Sequence, residues 1–139
     1  MTKFSFLSCV LALTAMFSVS CFAADEKSPT VVDGTTTIDA TQAKALFDEG
    51  VVFVDTRKDK DWEAGRIPDA VHIELKKKFN EASLSEEVAK GDKVVFYCNG
   101  HSCMRSSKAA MDAVGWGFSN VYYFRDGFPA WKAAGYPSE

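Results

Sequence analysis

The sequence predicts a three-layer α/β domain, with helices on both faces of a mostly parallel sheet. Three observations predict it. Val51-Val52-Phe53-Val54 and Lys93-Val94-Val95-Phe96-Tyr97 are short runs of β-branched and aromatic residues, the pattern of strands buried on both faces. Segments with apolar residues at helical spacing lie between such runs, and alternation of this kind favours parallel strands under helical layers. Glycines and a proline mark the breaks where one element must stop before the next begins.

In chain order, Thr36 to Ile38 offers a short first strand. Asp39 or Thr41 can cap a helix that turns Ala43, Leu46 and Phe47 to one face and stops at Gly50. The run from Val51 follows, and Asp55 ends it. Asp59 to Ala64 has the form of a short helix closed by Gly65. Pro68 forbids its continuation, and Ala70 to Ile73 reads as a third strand. Ser83 or Ser85 can cap a short helix ahead of Val88. Lys93 to Tyr97 is the next strand and Arg105 to Val114 the next helix, terminated by Gly115 and Gly117. Val121 to Phe124 and Phe128 to Ala134 complete the pattern as strand and helix. The domain spans residues 35–137, after a polar, flexible lead-in over 24–34.

At 139 residues, with 47% apolar and 25% charged residues, the chain has the size and composition of one ordinary globular domain. A net charge of −3 supplies no basic footprint, so nucleic acid is not an expected partner. The first 23 residues differ in kind. Lys3 precedes a stretch from Phe4 to Phe22 that is apolar apart from small Ser and Thr, and Cys21-Phe22-Ala23 puts small residues at the −3 and −1 positions of a cleavage site. This pattern predicts a signal peptide and a periplasmic or secreted mature chain starting at Ala24, with no membrane association after cleavage. A retained membrane anchor and lipid attachment at Cys21 fit less well, because the run ends in small residues and the lipobox position carries Ser18. Cleavage removes Cys9, Cys21 and Lys3, leaving 15 bases against 19 acids and only two cysteines, Cys98 and Cys103.

Those two cysteines lie in Cys98-Asn99-Gly100-His101-Ser102-Cys103-Met104-Arg105, between a buried strand and a helix. Open α/β sheets place their sites at such loops. Loop N–H groups and the helix N-terminus create positive potential, which favours a Cys98 thiolate. Arg105 adds a fixed cation that can hold an anionic substrate or steady the thiolate, and Ser106 and Ser107 offer hydroxyls nearby. A buried, inert Cys98 is the bland alternative. Cys103 can be a resolving thiol, a second sulfur acceptor or a small structural residue. Cys98, His101 and Cys103 give three soft ligands at most and no fourth, so neither a metal nor a cofactor is expected, and His101 reads as an exposed loop residue.

Val54-Asp55-Thr56-Arg57, Trp62-Glu63 and Gly65-Arg66-Ile67-Pro68-Asp69-Ala70-Val71-His72-Ile73 resemble the first signature of rhodanese domains. The second half is similar as well: a strand, Cys98, Arg105-Ser106-Ser107-Lys108-Ala109-Ala110, Gly117-Phe118-Ser119-Asn120-Val121, Asp126-Gly127-Phe128-Pro129-Ala130-Trp131 and Ala134-Gly135-Tyr136-Pro137. The resemblance implies a five-stranded sheet and a sulfurtransferase. Cys98 would take sulfane sulfur from a small donor such as thiosulfate, become a persulfide, and pass the sulfur to a thiol or cyanide-like acceptor. A protein redox or sulfur-acceptor partner is also open. Asp55 and Arg57 match the family's Asp-x-Arg; Asp55 is expected to bond backbone or Arg groups at the loop base, and Arg57 to lie near the rim and pair with an acid.

One departure bears on substrate. Sulfurtransferases of this type commonly have four residues between Cys and Arg, and relatives acting on phosphate or arsenate have five; here six intervene, Asn99 to Met104. The longer loop implies either a wider cradle or a bulge that brings Cys103 to Cys98. Two other readings therefore accompany sulfur transfer: a thiol–disulfide redox protein cycling Cys98 and Cys103, and a binding module without chemistry. A phosphatase or arsenate reading lacks an identifiable general acid. Trp62, Trp116 and Trp131 read as packing, Lys76-Lys77-Lys78 as a solvated turn able to attract an anion, and Glu74 has no placement from sequence.

Overall fold

The computed structural model describes residues 27–139, so the signal peptide, its cleavage site and Cys9 and Cys21 lie outside the described residues. Five strands, β1 (Thr35–Thr37), β2 (Val52–Asp55), β3 (Val71–His72), β4 (Lys93–Tyr97) and β5 (Asn120–Phe124), form one sheet in the order β1-β5-β4-β2-β3. Every pairing is parallel. The helices are α1 (Ala40–Asp48), α2 (Asp59–Ala64), α3 (Glu81–Glu87), α4 (Arg105–Gly115) and α5 (Gly127–Ala133).

The apolar runs follow from this layering. In β4, Val94 and Phe96 point into one core with Leu84 of α3 and Ala109, Ala110 and Ala113 of α4. Val95 and Tyr97 point into the other, with Ala43 and Leu46 of α1 and Phe128 and Trp131 of α5. Because strand side chains alternate between faces, a strand covered on both needs an unbroken apolar run. Neighbouring β2 divides the same way, Val54 to one side and Phe53 to the other.

Local signals set most helix ends. Asp39 caps α1 by accepting from the Gln42 N–H, and the Gln42 side chain returns the bond to the Asp39 N–H. Gly50, at φ +81°, lets the chain turn from α1 into β2. The cap of α3 is Asn80 rather than Ser83 or Ser85. Ser83 instead occupies the third helical position, where its hydroxyl accepts from the Asn80 N–H.

Two boundaries differ from the expected domain limits. Of the stretch read as a flexible lead-in, residues 27–34 are described and are held: Ser28 and Val32 are buried, and Tyr123 Oη donates to Pro29 O at 2.9 Å. At the other end, Glu139 and Arg66 exchange backbone hydrogen bonds of 2.9 and 3.0 Å beyond Pro137.

The topology fixes where a site can lie. From β2 the chain crosses through α2 to β3 on one side, whereas from β4 it crosses through α4 to β5 on the other. The carboxyl ends of adjacent β2 and β4 therefore flank a crevice at the point where the connections diverge.

Candidate active site

Cys98 follows Tyr97 at the carboxyl end of β4 and heads the loop into α4. It is 1% exposed and forms a disulfide with Cys103, with the two Cα atoms 6.2 Å apart. Five extended residues would span up to about 17 Å, so the loop must fold back on itself. The return is made at Gly100, at φ +106°, whose carbonyl accepts from the Cys103 N–H at 3.0 Å. The extra length between Cys98 and Arg105 is used to bring the second sulfur to the first.

Both sides of the loop's first half are anchored. Phe128 N–H donates to Cys98 O at 2.9 Å, and Gly127, at φ +65°, leaves the space for that approach: a Cβ there would lie 2.3 Å from the same oxygen. Ser28 donates its N–H and hydroxyl to His101 O at 2.6 and 2.9 Å, and Arg125 holds Ser28 O at 2.7 Å. The His101 ring, exposed as expected, pairs with Asp126.

Beneath the loop, Arg57 is buried at 3% exposure, which corrects its expected place near the rim. Its Nε and Nη2 grip the Asp55 carboxylate at 2.7–3.0 Å, Nη2 also donates to Gly65 O, and Nη1 reaches Asn99 Oδ1 at 3.2 Å. Burial works against the Arg57 charge, but the Asp55 hydrogen bonds and negative charge outweigh it and hold its pKa above the ordinary value. Asn99 completes the brace by donating to Asp61 Oδ2 at 3.2 Å. Asp55 thus bonds both the Arg57 side chain and its N–H, as the sequence led us to expect.

Arg105 opens α4 and pairs with Glu74, a residue that sequence reasoning left unplaced. Glu74 is 2% exposed and follows β3, at the same end of the sheet as Cys98. Its Oε2 accepts from the Lys76 N–H at 3.0 Å. Burial alone would raise the Glu74 carboxyl, but the Arg105 hydrogen bond and charge, with the Lys77 and Lys76 N–H groups, hold it below the ordinary value. The only sequence signal for Glu74 is an acid placed directly after an apolar strand. Ser106 and Ser107 are buried in the first turn of α4, and the Ser107 hydroxyl is spent on Met104 O at 2.9 Å.

A cleft of about 550 Å³ opens beside the loop, lined by Lys58, Lys60, Lys76 and Arg105, by Asp61 and Asn99, and by Ser102, Cys103 and Met104. Of the three consecutive lysines, Lys76 faces this cleft and Lys77 is tied to Asp59 at 2.9 Å. Met104 caps α4 without a side-chain hydrogen bond, leaving the first N–H groups of that helix uncapped by a side chain. Three lysines outnumber the one lining carboxylate, Asp61, which accepts from Asn99, while Arg105 is paired with Glu74, and this balance suits the cleft to a small anion.

Comparison with known proteins identifies the family and the fold. The family model of the rhodanese-like domain matches residues 39–134. The thiosulfate sulfurtransferase GlpE of Pseudomonas savastanoi pv. phaseolicola is 38% identical over 102 residues, covering 70% of this chain and 87% of that protein. The solution structure of the rhodanese-like domain of the Anabaena Alr3790 protein superposes with a TM-score of 0.63 at 25% identity, covering 74% of this chain and 77% of that one. The BH2092 protein of Bacillus halodurans shares the fold, with a TM-score of 0.66 at 24% identity over 76% of this chain and 77% of that one.

Proposed function

This chain belongs to the rhodanese-like domain family, and we propose that it is a sulfurtransferase that carries sulfane sulfur as a persulfide on Cys98. The observation that carries the reading is the position of Cys98, at the switch point of the sheet beside a cleft lined by Lys58, Lys60, Lys76 and Arg105. Reduced Cys98 attacks the outer sulfur of an anionic donor such as thiosulfate. The donor's S–S bond breaks, sulfite leaves with the electron pair, and Cys98 keeps the transferred sulfur. A thiol or cyanide-like acceptor then takes that sulfur and returns the Cys98 thiolate. The α4 N-terminus and the cationic wall support both the thiolate and the anionic donor.

We place the mature chain in the periplasm or outside the cell. An oxidising compartment is where a loop disulfide such as Cys98–Cys103 persists. Intact mass analysis of protein purified from the periplasmic fraction tests both proposals. The expected protein begins at Ala24, and its Cys103→Ser form, after reduction and exposure to thiosulfate, gains one sulfur atom that Cys98→Ala does not gain. A chain still bearing residues 1–23 refutes export with cleavage. Failure of the Cys103→Ser form to gain sulfur from any sulfane donor refutes the persulfide.

The disulfide favours a second reading, in which the cysteine pair exchanges electrons with a partner protein and never carries extra sulfur. The same measurement separates the two, since a dedicated thiol–disulfide protein stays unchanged in thiosulfate.

A further inference from the structure

Resting on the persulfide reading above, we propose that Cys103 is a resolving thiol that discharges the Cys98 persulfide as hydrosulfide, and that a dithiol reductant then reopens the resulting disulfide. The activity is reduction of sulfane sulfur, beyond its transfer to an acceptor.

The two sulfurs are placed unequally. Cys98 is almost wholly buried and does not line the cleft, whereas Cys103 is half-buried and does. The Cys98 carbonyl is fixed by Phe128 N–H, and the chain is fixed again at His101 O by Ser28. Cys103 follows this anchored segment, lines the cleft together with Arg105 and the lysines, and is bonded to Cys98. A persulfide formed on Cys98 is therefore within reach of the Cys103 thiol, which needs no second protein to find it.

The chemistry balances without further reagents until the last step. Thiosulfate gives Cys98 its outer sulfur and leaves as sulfite. The Cys103 proton passes to the outer sulfur of the Cys98 persulfide. The Cys103 thiolate attacks Cys98 Sγ, the bond from Cys98 Sγ to the outer sulfur breaks, and hydrosulfide leaves with its electron pair. The product is the disulfide this structure contains. One thiolate of a dithiol then attacks Cys103 Sγ, the sulfur that borders the cleft, and Cys98 departs as thiolate. The reductant's second thiol resolves the mixed disulfide and frees Cys103. Two electrons from the dithiol have reduced one sulfane sulfur. The direction of attack suits the site, because exchange is faster at the accessible sulfur and when the departing thiolate is the better stabilised one.

The test is a single turnover of the fully reduced mature chain, freed of excess reductant and given one equivalent of thiosulfate. Expected from the parent are one equivalent each of sulfite and hydrosulfide, with a protein mass two hydrogens below the reduced form. Cys103→Ser is expected to release sulfite, keep the added sulfur and release no hydrosulfide until an external thiol is supplied. A parent that holds the added sulfur with Cys103 free overturns the inference and leaves sulfur transfer intact. So does hydrosulfide release from Cys103→Ser at the parent's rate. Absence of sulfite from both proteins removes the persulfide reading, and this inference with it.

Discussion

Removing Glu74 tests whether Arg105 is set by a buried partner or held by the loop itself. Glu74→Ala takes the carboxylate from a pair in which the acid is 2% exposed and the Arg105 side chain 13%. Loss of one partner of a buried pair costs about 3–5 kcal/mol, because the remaining charge stays uncompensated. Arg105 keeps some contact with water and a 3.4 Å bond to Thr56 O, so the lower end, about 3 kcal/mol, is expected here. With a slope near 2 kcal/mol per molar urea, the unfolding midpoint should fall by roughly 1.5 M. Glu74→Gln can satisfy either Arg105 or the Lys76 N–H, but not both as acceptors, and should lose about 1–2 kcal/mol. The pH dependence carries a definite sign. The folded-state pKa of Glu74 is depressed, so its contribution is complete above the ordinary carboxylate pKa and disappears as pH falls through the lower folded value. The gap between parent and Glu74→Gln should therefore be full at neutral pH and close in acid. Urea unfolding of the disulfide form at both pH values measures it. A Glu74→Ala protein within about 0.5 kcal/mol of the parent at neutral pH would show that the pair does not hold Arg105.

Two other substitutions probe the anchors of the loop. Gly127→Ala puts a Cβ 2.3 Å from Cys98 O and 2.9 Å from Gly100 N, on a backbone at φ +65°. The left-handed backbone costs about 1–2 kcal/mol and the overpacking about 1–3 kcal/mol more, so urea unfolding should show a loss of roughly 2–5 kcal/mol. Persulfide formation should slow with it; parent-like stability would mean that the Cys98 carbonyl is free to move. Arg57→Lys keeps the charge but cannot reproduce the fork that bonds Asp55, Gly65 O and Asn99 together. A loss of roughly 2–4 kcal/mol is expected by the same assay, and a loss under about 0.5 kcal/mol would refute the brace.

What could be read in advance divides by the distance between partners. Strand β4 is legible because burial on both faces writes itself into four consecutive side chains, Val94 to Tyr97. For α1 the sequence offers Asp39 or Thr41 as the cap, and the fold selects Asp39, whose partner Gln42 stands three residues on. Asn80 is masked in the sequence because Ser83, an acceptable cap by type, fits the reciprocal position of the same box. The charge of Arg57 argues for water and a place at the rim, and only the fold shows Asp55 and Gly65 O closing around it. Glu74 meets Arg105 across 31 residues, and Ser28 meets His101 across 73, so neither pairing leaves a periodic trace.

The anchors also say which part of the loop has to move. Opening the disulfide requires the sulfurs to separate, yet the backbone from Cys98 to His101 is tied at both its ends, to Phe128 and to Ser28. Arg105, on the far side of Cys103, is held by Glu74. Met104 is held as the cap of α4, its carbonyl accepting from Ser107 and Lys108, so the segment left to adjust is Ser102 and Cys103, which border the cleft and, the disulfide apart, are tied among the described residues only by the Cys103 N–H to Gly100 O. Motion confined there swings Cys103 while leaving Cys98 beside the cleft, where a thiosulfate sulfur must arrive. The same division explains the length of the loop. Four residues between Cys98 and Arg105 would leave little chain beyond the His101 anchor, whereas six supply both a fixed half for the nucleophile and a movable half for the second thiol.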